Sequence, residues 1–127
     1  MNIRHQIQKM ITTLLWHFEY HNLFVMSNFE QFSLKKPLFN AIKDLGFTAP
    51  TPIQEEAFSV ILSGKDVVGI AQTGTGKTLA YLMPMLDELK YSDQINPRIL
   101  ILVPTRELVV QVCDAVNSLT EYMSVRV

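Results

Sequence analysis

The stretch Ala-Gln-Thr-Gly-Thr-Gly-Lys-Thr at residues 71–78 constrains the fold more than any other part of the chain. An apolar run, residues 66–71, leads into it, and residues 78–83 lead out with helix-forming side chains. Gly74 and Gly76 permit backbone conformations that other residues avoid, so successive N–H groups can turn towards one point. Strand, glycine-rich loop and helix in this order predict a loop that binds phosphate groups at a helix N-terminus.

The last two residues of the loop suit a nucleoside triphosphate. The Lys77 ammonium is placed for the β- and γ-phosphates, and the Thr78 hydroxyl is placed to ligate the Mg²⁺ ion that bridges them. We predict that Lys77 and Thr78 are the catalytic residues of this segment and that Thr78 is the metal ligand. The general Walker A pattern has glycine where this chain has Ala71, so the match to that pattern is incomplete. The predicted cofactor-binding residues of the loop are Ala71, Gln72, Thr73, Gly74, Thr75, Gly76, Lys77 and Thr78.

Composition bounds the class of protein. A chain of 127 residues with 48% hydrophobic residues predicts one globular domain. Eleven basic residues against twelve acidic ones exclude a basic tail that binds nucleic acid by bulk charge, so such a partner must be held locally. The single cysteine, Cys113, excludes an internal disulfide and is compatible with a reducing compartment. We therefore expect a cytoplasmic protein.

The N-terminal residues, 1–25, differ in character from the rest. Apolar side chains recur there at helical spacing, but the pattern offers this helix no partner. Its longest uncharged run is too short and too polar for a membrane span or signal peptide, so we expect no membrane partner. We expect residues 1–25 to be an extension that is not native or is poorly ordered. Met26 is the expected natural start, and residues 26–127 form the domain segment.

The remaining pattern alternates helices and strands. Pro37 and Gly46 flank a short helix, and Thr51 and Pro52 start a second one that ends near Leu62. The continuous apolar run at residues 98–103 predicts a parallel strand buried on both faces. Further elements are a helix from Pro104–Thr105 to Met123 and the beginning of a third strand at residues 124–127. These elements predict an α/β P-loop fold with a mainly parallel sheet.

Gln54 has two interpretations. It lies three residues after Thr51, so its side chain can complete a capping box by accepting a hydrogen bond from the Thr51 backbone N–H. Alternatively, its carboxamide pairs with the N6 and N7 edge of adenine, a donor and acceptor pattern that guanine does not offer. Sequence spacing leaves both interpretations open.

Three segments together resemble the DEAD-box RNA helicases. Residues 46–54, Gly-Phe-Thr-Ala-Pro-Thr-Pro-Ile-Gln, resemble the Q motif of that family, with Phe29 at the position of its upstream aromatic residue. Residues 71–78 resemble motif I, in which alanine is the usual first residue, and residues 104–108, Pro-Thr-Arg-Glu-Leu, resemble motif Ia. The resemblance covers residues 29–127 and implies the first part of a RecA-like domain, a three-layer fold that is incomplete here.

The resemblance also assigns roles to residues. It implies that Phe47 stacks on adenine, that Gln54 reads the adenine edge with help from Thr51, and that residues 74–78 hold the phosphates of ATP with Mg²⁺. Phe29 belongs to the same nucleotide-binding set. The residues implied to face RNA are Pro104, Thr105, Arg106 and Glu107. Without the resemblance, Thr105 can equally serve only as a helix cap and Arg106 as a solvated charge.

No Asp-Glu-Ala-Asp motif, Ser-Ala-Thr motif or second RecA-like domain occurs before Val127. We therefore expect these residues to be the front of a longer ATP-dependent RNA helicase, and to bind nucleotide without helicase-rate hydrolysis. The alternatives are a small P-loop kinase and a non-catalytic adenine-nucleotide-binding module. A kinase would leave residues 104–108 without a role, and an Asp-Glu-Ala-Asp run beyond Val127 would decide for the helicase.

Overall fold

The computed structural model describes residues 28–127, so the expected N-terminal extension and the expected start at Met26 lie outside the described residues. The described part begins with a short 3-10 helix, Phe29–Phe32. The α-helices that follow are α1 Lys36–Asp44, α2 Pro52–Leu62, α3 Lys77–Glu88 and α4 Arg106–Leu119. Within residues 28–127, none of the helices has the length and apolar character needed to cross a bilayer.

The predicted boundaries of α1 and α2 are confirmed. Thr51 has extended backbone angles as the N-cap of α2, and Pro52 is its first residue, where a missing N–H costs no helical hydrogen bond. Gly46 and Gly64 follow the ends of α1 and α2 with φ of +80° and +72°. Glycine adopts this left-handed conformation without the steric cost that a Cβ imposes, which explains why the helices end there.

Helix α4 is shorter than its apolar pattern predicts. It begins after the N-cap Thr105, as expected, but it ends at Leu119 rather than at Met123. The Thr120 hydroxyl donates a 2.8 Å hydrogen bond to the Val116 carbonyl oxygen. A threonine hydroxyl that satisfies a carbonyl of the last turn offers the backbone an alternative to further helix, which accounts for the earlier end.

Helix α3 lies at the centre of the packing and contacts each of the other three α-helices. Its buried residues cover most of its circumference, which is typical of a helix surrounded by others. They are Leu79, Ala80, Leu82, Met83, Pro84 and Leu86. Because α3 begins at Lys77, the glycine-rich loop is joined to the best-buried helix of the described chain and has a rigid support.

The segment before α1 is fixed to the helices on both sides. The Phe32 ring packs against the Phe58 ring of α2 with centroids 4.5 Å apart. The Lys35 backbone N–H donates to an Asp87 carboxylate oxygen at 2.7 Å, and the Lys35 ammonium donates to the Asp87 carbonyl oxygen. The start of α1 is thereby attached to the C-terminal end of α3, where a positive charge is favourable.

The predicted sheet is the main difference between expectation and structure. Residues 66–71, 98–103 and 124–127 form no strand in the described part of the chain. No backbone hydrogen bond there joins one of these three segments to another. A strand exists only through such bonds to a neighbouring strand, and an apolar pattern in one segment does not supply the neighbour.

Residues 98–103 nevertheless keep the alternation of a strand. Ile99, Ile101 and Val103 pack against the helical core. Leu100 and Leu102 between them are 79% and 84% exposed. The prediction that both faces are buried is therefore wrong for the described residues, because their helices cover only one side of this segment.

Candidate nucleotide-binding site

The glycine-rich loop has the backbone conformation that its sequence predicts. Gly74 and Gly76 have φ of +80° and +81°, in the left-handed region that favours glycine. Gly76 is the N-cap of α3, and its carbonyl oxygen accepts the first helical hydrogen bond, from the Ala80 N–H at 3.0 Å. The loop therefore ends at a helix N-terminus, whose free N–H groups and positive dipole end favour an anion.

The Lys77 ammonium is bound within the loop. Its Nζ donates to the Ala71 carbonyl oxygen at 2.6 Å and also to the Gln72 carbonyl oxygen. Sequence reasoning places this ammonium against phosphates but does not identify the carbonyl partners. Thr78 lies partly buried in the first turn of α3, next to Lys77. The two residues predicted to meet phosphate and metal are thus together at the helix start.

Gln54 combines the two interpretations that its sequence leaves open. Its Oε1 accepts a 2.9 Å hydrogen bond from the Thr51 N–H, which is the capping-box contact. Its Nε2 donates to the Gly76 carbonyl oxygen at 3.1 Å, so the same side chain bridges α2 and the loop. Gln54 is only 3% exposed, yet its amide retains one hydrogen and its oxygen one lone pair for a further partner. The 22-residue separation of Gln54 and Gly76 gave no sequence signal for this contact.

Thr51 supplies an unsatisfied polar atom beside this contact. Its Oγ1 is buried and has no hydrogen-bond partner among residues 28–127. The Gln54 backbone N–H lies within capping distance of the Thr51 side chain. It donates instead to the Thr51 carbonyl oxygen, at 2.9 Å. An unpaired buried hydroxyl costs about 1–3 kcal/mol. A polar ligand that reaches Gln54 would also recover this cost, which fits the predicted role of Thr51 beside adenine.

The close approach of Gly76 to Gln54 gives a stability prediction with a matched control. A Cβ at Gly76 would lie 2.3 Å from Gln54 Nε2, whereas a Cβ at Gly74 meets nothing within 4 Å. Because φ is nearly equal at the two sites, both alanine variants incur a similar left-handed strain of about 1–2 kcal/mol. We expect Gly76→Ala to lose about 1–3 kcal/mol more than Gly74→Ala, since it displaces the buried amide.

Urea unfolding of both glycine variants measures this difference in the free energy of unfolding. Equal losses in Gly74→Ala and Gly76→Ala would mean that the contact between Gln54 and Gly76 contributes nothing to stability.

The two predicted aromatic residues have different environments. Phe47 is 46% exposed in the turn before α2, so its ring has a free surface for stacking. Phe29 is 3% exposed and lies in the hydrophobic core beside Phe32, with ring centroids 6.1 Å apart. Its assignment as a nucleotide contact stays a prediction, and the structure gives it a packing role.

The residues predicted to face RNA form the start of α4. Pro104, Thr105, Arg106 and Glu107 are all exposed. The Thr105 hydroxyl accepts a 3.3 Å hydrogen bond from the Leu108 N–H, so it caps the helix. The backbone N–H of Glu107 and the Thr105 hydroxyl bind the Glu107 carboxylate and lower its pKa. These partners use N–H groups at the start of α4, and the Arg106 side chain beside them is an exposed cation.

The groups available to a cation are few at this site. Within residues 28–127, no cluster of three or more His, Cys, Asp or Glu side chains is arranged to hold a metal ion. Mg²⁺ commonly takes one or two protein ligands and completes its shell with phosphate oxygens and water. The Thr78 hydroxyl beside a phosphate-binding loop fits that donor set.

A second concave region lies away from the loop. A cavity of about 520 Å³ between α3, α4 and residues 92–103 and 124–127 is lined mainly by aliphatic side chains. None of the predicted site residues lines it. We therefore place the candidate site at the loop on the basis of its polar contacts.

The DEAD/DEAH box helicase family model matches residues 51–127, which include the N-cap of α2, the glycine-rich loop and α4. The chain belongs to the DEAD/DEAH box helicase family. This DEAD-box chain is 44% identical over 97 residues to the ATP-dependent RNA helicase DeaD of Escherichia coli, with 76% of this chain and 15% of that protein covered. It is 42% identical over 97 residues to the ATP-dependent RNA helicase DRS1 of Lodderomyces elongisporus, covering 76% and 14% of the two.

Solved structures of the family resemble this DEAD-box chain as well. The RNA helicase Prp28 of Chaetomium thermophilum, bound to ADP, matches with a TM-score of 0.67 and 38% identity over 76% of this chain and 24% of that one. A DEAD box protein of Methanococcus jannaschii matches with a TM-score of 0.65 and 36% identity over 72% and 25%. These neighbours are RecA-like helicase domains. They support the predicted P-loop α/β fold, although residues 28–127 of this chain form no strands.

Proposed function

We propose that this chain is the nucleotide-binding segment of an ATP-dependent RNA helicase and binds ATP, Mg²⁺ and single-stranded RNA. One observation carries the proposal: Gln54, with free donor and acceptor capacity, is hydrogen-bonded to the carbonyl of Gly76. A group able to read adenine therefore lies against a loop able to hold phosphates. Family membership favours this function over a small P-loop kinase.

Different residues would bind different parts of the nucleotide. Gln54 would pair with the adenine edge, the exposed Phe47 ring would stack on the base, and Lys77 would exchange its carbonyl partners for phosphate oxygens. Thr78 would hold Mg²⁺, which supplies charge neutralisation at the phosphates. The similar Prp28 structure is bound to ADP, which supports an adenine nucleotide as the ligand.

The curated relatives are much longer than this chain. The chain spans about a seventh of the length of the curated relatives, 14% of DRS1 and 15% of DeaD. We propose that a full-length enzyme adds a second RecA-like domain, binds ATP and RNA between the two domains, and couples hydrolysis to the separation of short RNA duplexes. Phosphoryl transfer needs a positioned water and a further cation as well as a phosphate loop, which fits a two-domain enzyme.

Nucleotide titration tests the proposal on the 127-residue chain. Displacement of a fluorescent ATP analogue by ATP and by GTP, both with Mg²⁺, measures the two affinities. We expect ATP to bind about tenfold more tightly or better, because a paired amide discriminates between bases by about 1–3 kcal/mol. Equal displacement by ATP and GTP would contradict adenine recognition, and no displacement by either would contradict nucleotide binding.

RNA binding gives a separate prediction at the start of α4. Arg106→Ala is expected to weaken single-stranded RNA binding and to reduce the salt slope of the affinity by about 0.7, the value for one lost phosphate contact. Arg126→Ala removes another exposed arginine, which follows the C-terminal end of α4 rather than its start, and serves as the control. Fluorescence anisotropy with a labelled oligonucleotide at several salt concentrations measures both. Identical slopes in the two variants would remove Arg106 from the RNA contact.

A further inference from the structure

We propose that Thr75 is a positioning residue that lowers the affinity of the loop for phosphate-bearing ligands. Its hydroxyl donates to the Gln72 carbonyl oxygen at 2.8 Å, and the same oxygen accepts from the Lys77 ammonium. Thr75 thereby holds in place a carbonyl that competes with phosphate for the lysine. The inference rests on the proposed nucleotide-binding function and concerns how tightly the loop binds.

The hydroxyl braces the turn at residues 72–75. Gly74, the third residue of this turn, has φ of +80°, the conformation that a type II turn requires at that position. The Thr75 side chain adds a hydrogen bond to the Gln72 carbonyl oxygen across the turn. This hydroxyl and the Lys77 ammonium are the two side-chain donors that hold the direction of the Gln72 carbonyl.

The two donors on the Gln72 oxygen do not exclude each other, because a carbonyl oxygen has two lone pairs. The hydroxyl fixes the carbonyl while the ammonium remains bound to it. Lys77 also donates to the Ala71 carbonyl oxygen at 2.6 Å, so two of its three N–H donors are used within the loop. A phosphate that takes the ammonium must compete with both carbonyls.

Loss of the hydroxyl would remove one of the two side-chain donors that hold the Gln72 carbonyl, so this carbonyl would turn away from Lys77 more readily. Lys77 would then keep one firmly oriented carbonyl partner, and the arrangement competent for phosphate would be more populated. The apparent affinity for a ligand rises with the population of the competent arrangement. Thr75 is only partly buried and is absent from the hydrophobic core and the residues packed on it, so its replacement opens no cavity there.

Thr75→Val tests this role, since valine keeps the shape of threonine and removes the hydroxyl. We expect Thr75→Val to bind ATP with Mg²⁺ about two- to tenfold more tightly, the range for one weakened hydrogen bond, here the one from Lys77 to the Gln72 carbonyl that competes with phosphate. Adenosine lacks phosphates and need not displace Lys77, so its affinity should not change. Thr75→Ser retains a hydroxyl and should restore the ATP affinity of the unaltered chain.

Displacement titrations of a fluorescent nucleotide by ATP and by adenosine, with circular dichroism of each variant, provide the measurements. Equal or weaker ATP binding by Thr75→Val would overturn the inference, because the hydroxyl would then be neutral or a direct phosphate ligand. A matching gain for adenosine would also overturn it, since the effect would not depend on phosphate. If the unaltered chain bound adenosine and ATP equally or bound neither, the proposed function itself would fail.

Discussion

Replacing Lys77 with alanine is expected to remove most of the affinity for ATP with Mg²⁺ while the chain stays folded. The ammonium is the one cationic side chain of the loop, and a charge-assisted hydrogen bond to phosphate is worth about 1.5–3 kcal/mol, or about ten- to hundredfold in affinity. The lysine stem is partly exposed, and its hydrogen bonds go to the Ala71 and Gln72 carbonyls. Gln72 is exposed, so water can replace the amine there at a cost below about 1 kcal/mol.

Lys65→Ala is the matched control for this variant. Lys65 is an exposed lysine that follows α2 and precedes the segment leading into the loop. Its removal changes the net charge by the same amount and should leave nucleotide affinity within about twofold, since exposed charges contribute little at a distance in salt. Titration of both variants and the unaltered chain, with circular dichroism, makes the comparison. Unchanged ATP affinity in a folded Lys77→Ala protein would exclude the loop as the phosphate site.

The boundaries of α1 and α2 follow from the sequence because their causes are local. Thr51 followed by Pro52 specifies a helix start through a cap and a fixed φ, and Gly46 ends the previous helix through its positive φ. Each of these signals acts within a few residues, so its outcome does not depend on what the rest of the chain does. The glycines of the loop are in the same category, with φ values close to those expected.

The strands could not be predicted in the same way because their cause is not local. Residues 98–103 have the apolar run of a strand, and alternate side chains pack on the core, yet no neighbouring segment of the described chain supplies backbone hydrogen bonds. Sequence pattern reports which residues suit a pleated surface, but a ladder also needs a partner at the right register. The boundaries of α1 and α2 are therefore predictable here, and the sheet is not.

The candidate site likewise combines local features that the sequence predicts with a long-range contact that it does not. Sequence alone predicts the loop, its lysine and the capping position of Gln54. The contact between Gln54 and Gly76 joins residues 22 positions apart and follows from the packing of α2 on α3. The hydrogen bond from the Thr75 hydroxyl to the Gln72 carbonyl oxygen spans only three residues and follows the local pattern in which threonine bonds to backbone a few residues earlier.

Gln54→Glu is expected to reduce both stability and the preference for ATP over GTP. The introduced carboxylate keeps one oxygen to accept from the Thr51 N–H, so the capping contact survives. Its other oxygen would face the Gly76 carbonyl oxygen, which lies 3.1 Å from the present Nε2 donor. Two acceptors facing each other in a buried site replace a hydrogen bond with repulsion, and we expect a loss of about 1–3 kcal/mol in the free energy of unfolding.

The pH dependence of this loss identifies its cause. Burial and the facing carbonyl disfavour the carboxylate and raise the pKa of the introduced group in the folded state above its unfolded value. A group with a raised folded pKa contributes stability below its unfolded pKa and loses it as pH rises through the folded pKa. The protonated acid can still donate to Gly76, so the stability gap from the unaltered chain should be small near about pH 4 and widen towards about pH 8.

Urea unfolding at several pH values measures the gap, and ATP and GTP titration at neutral pH measures the preference. A gap that stays near zero at every pH, with the ATP preference unchanged, would reduce Gln54 to the capping residue that its position after Thr51 also allows.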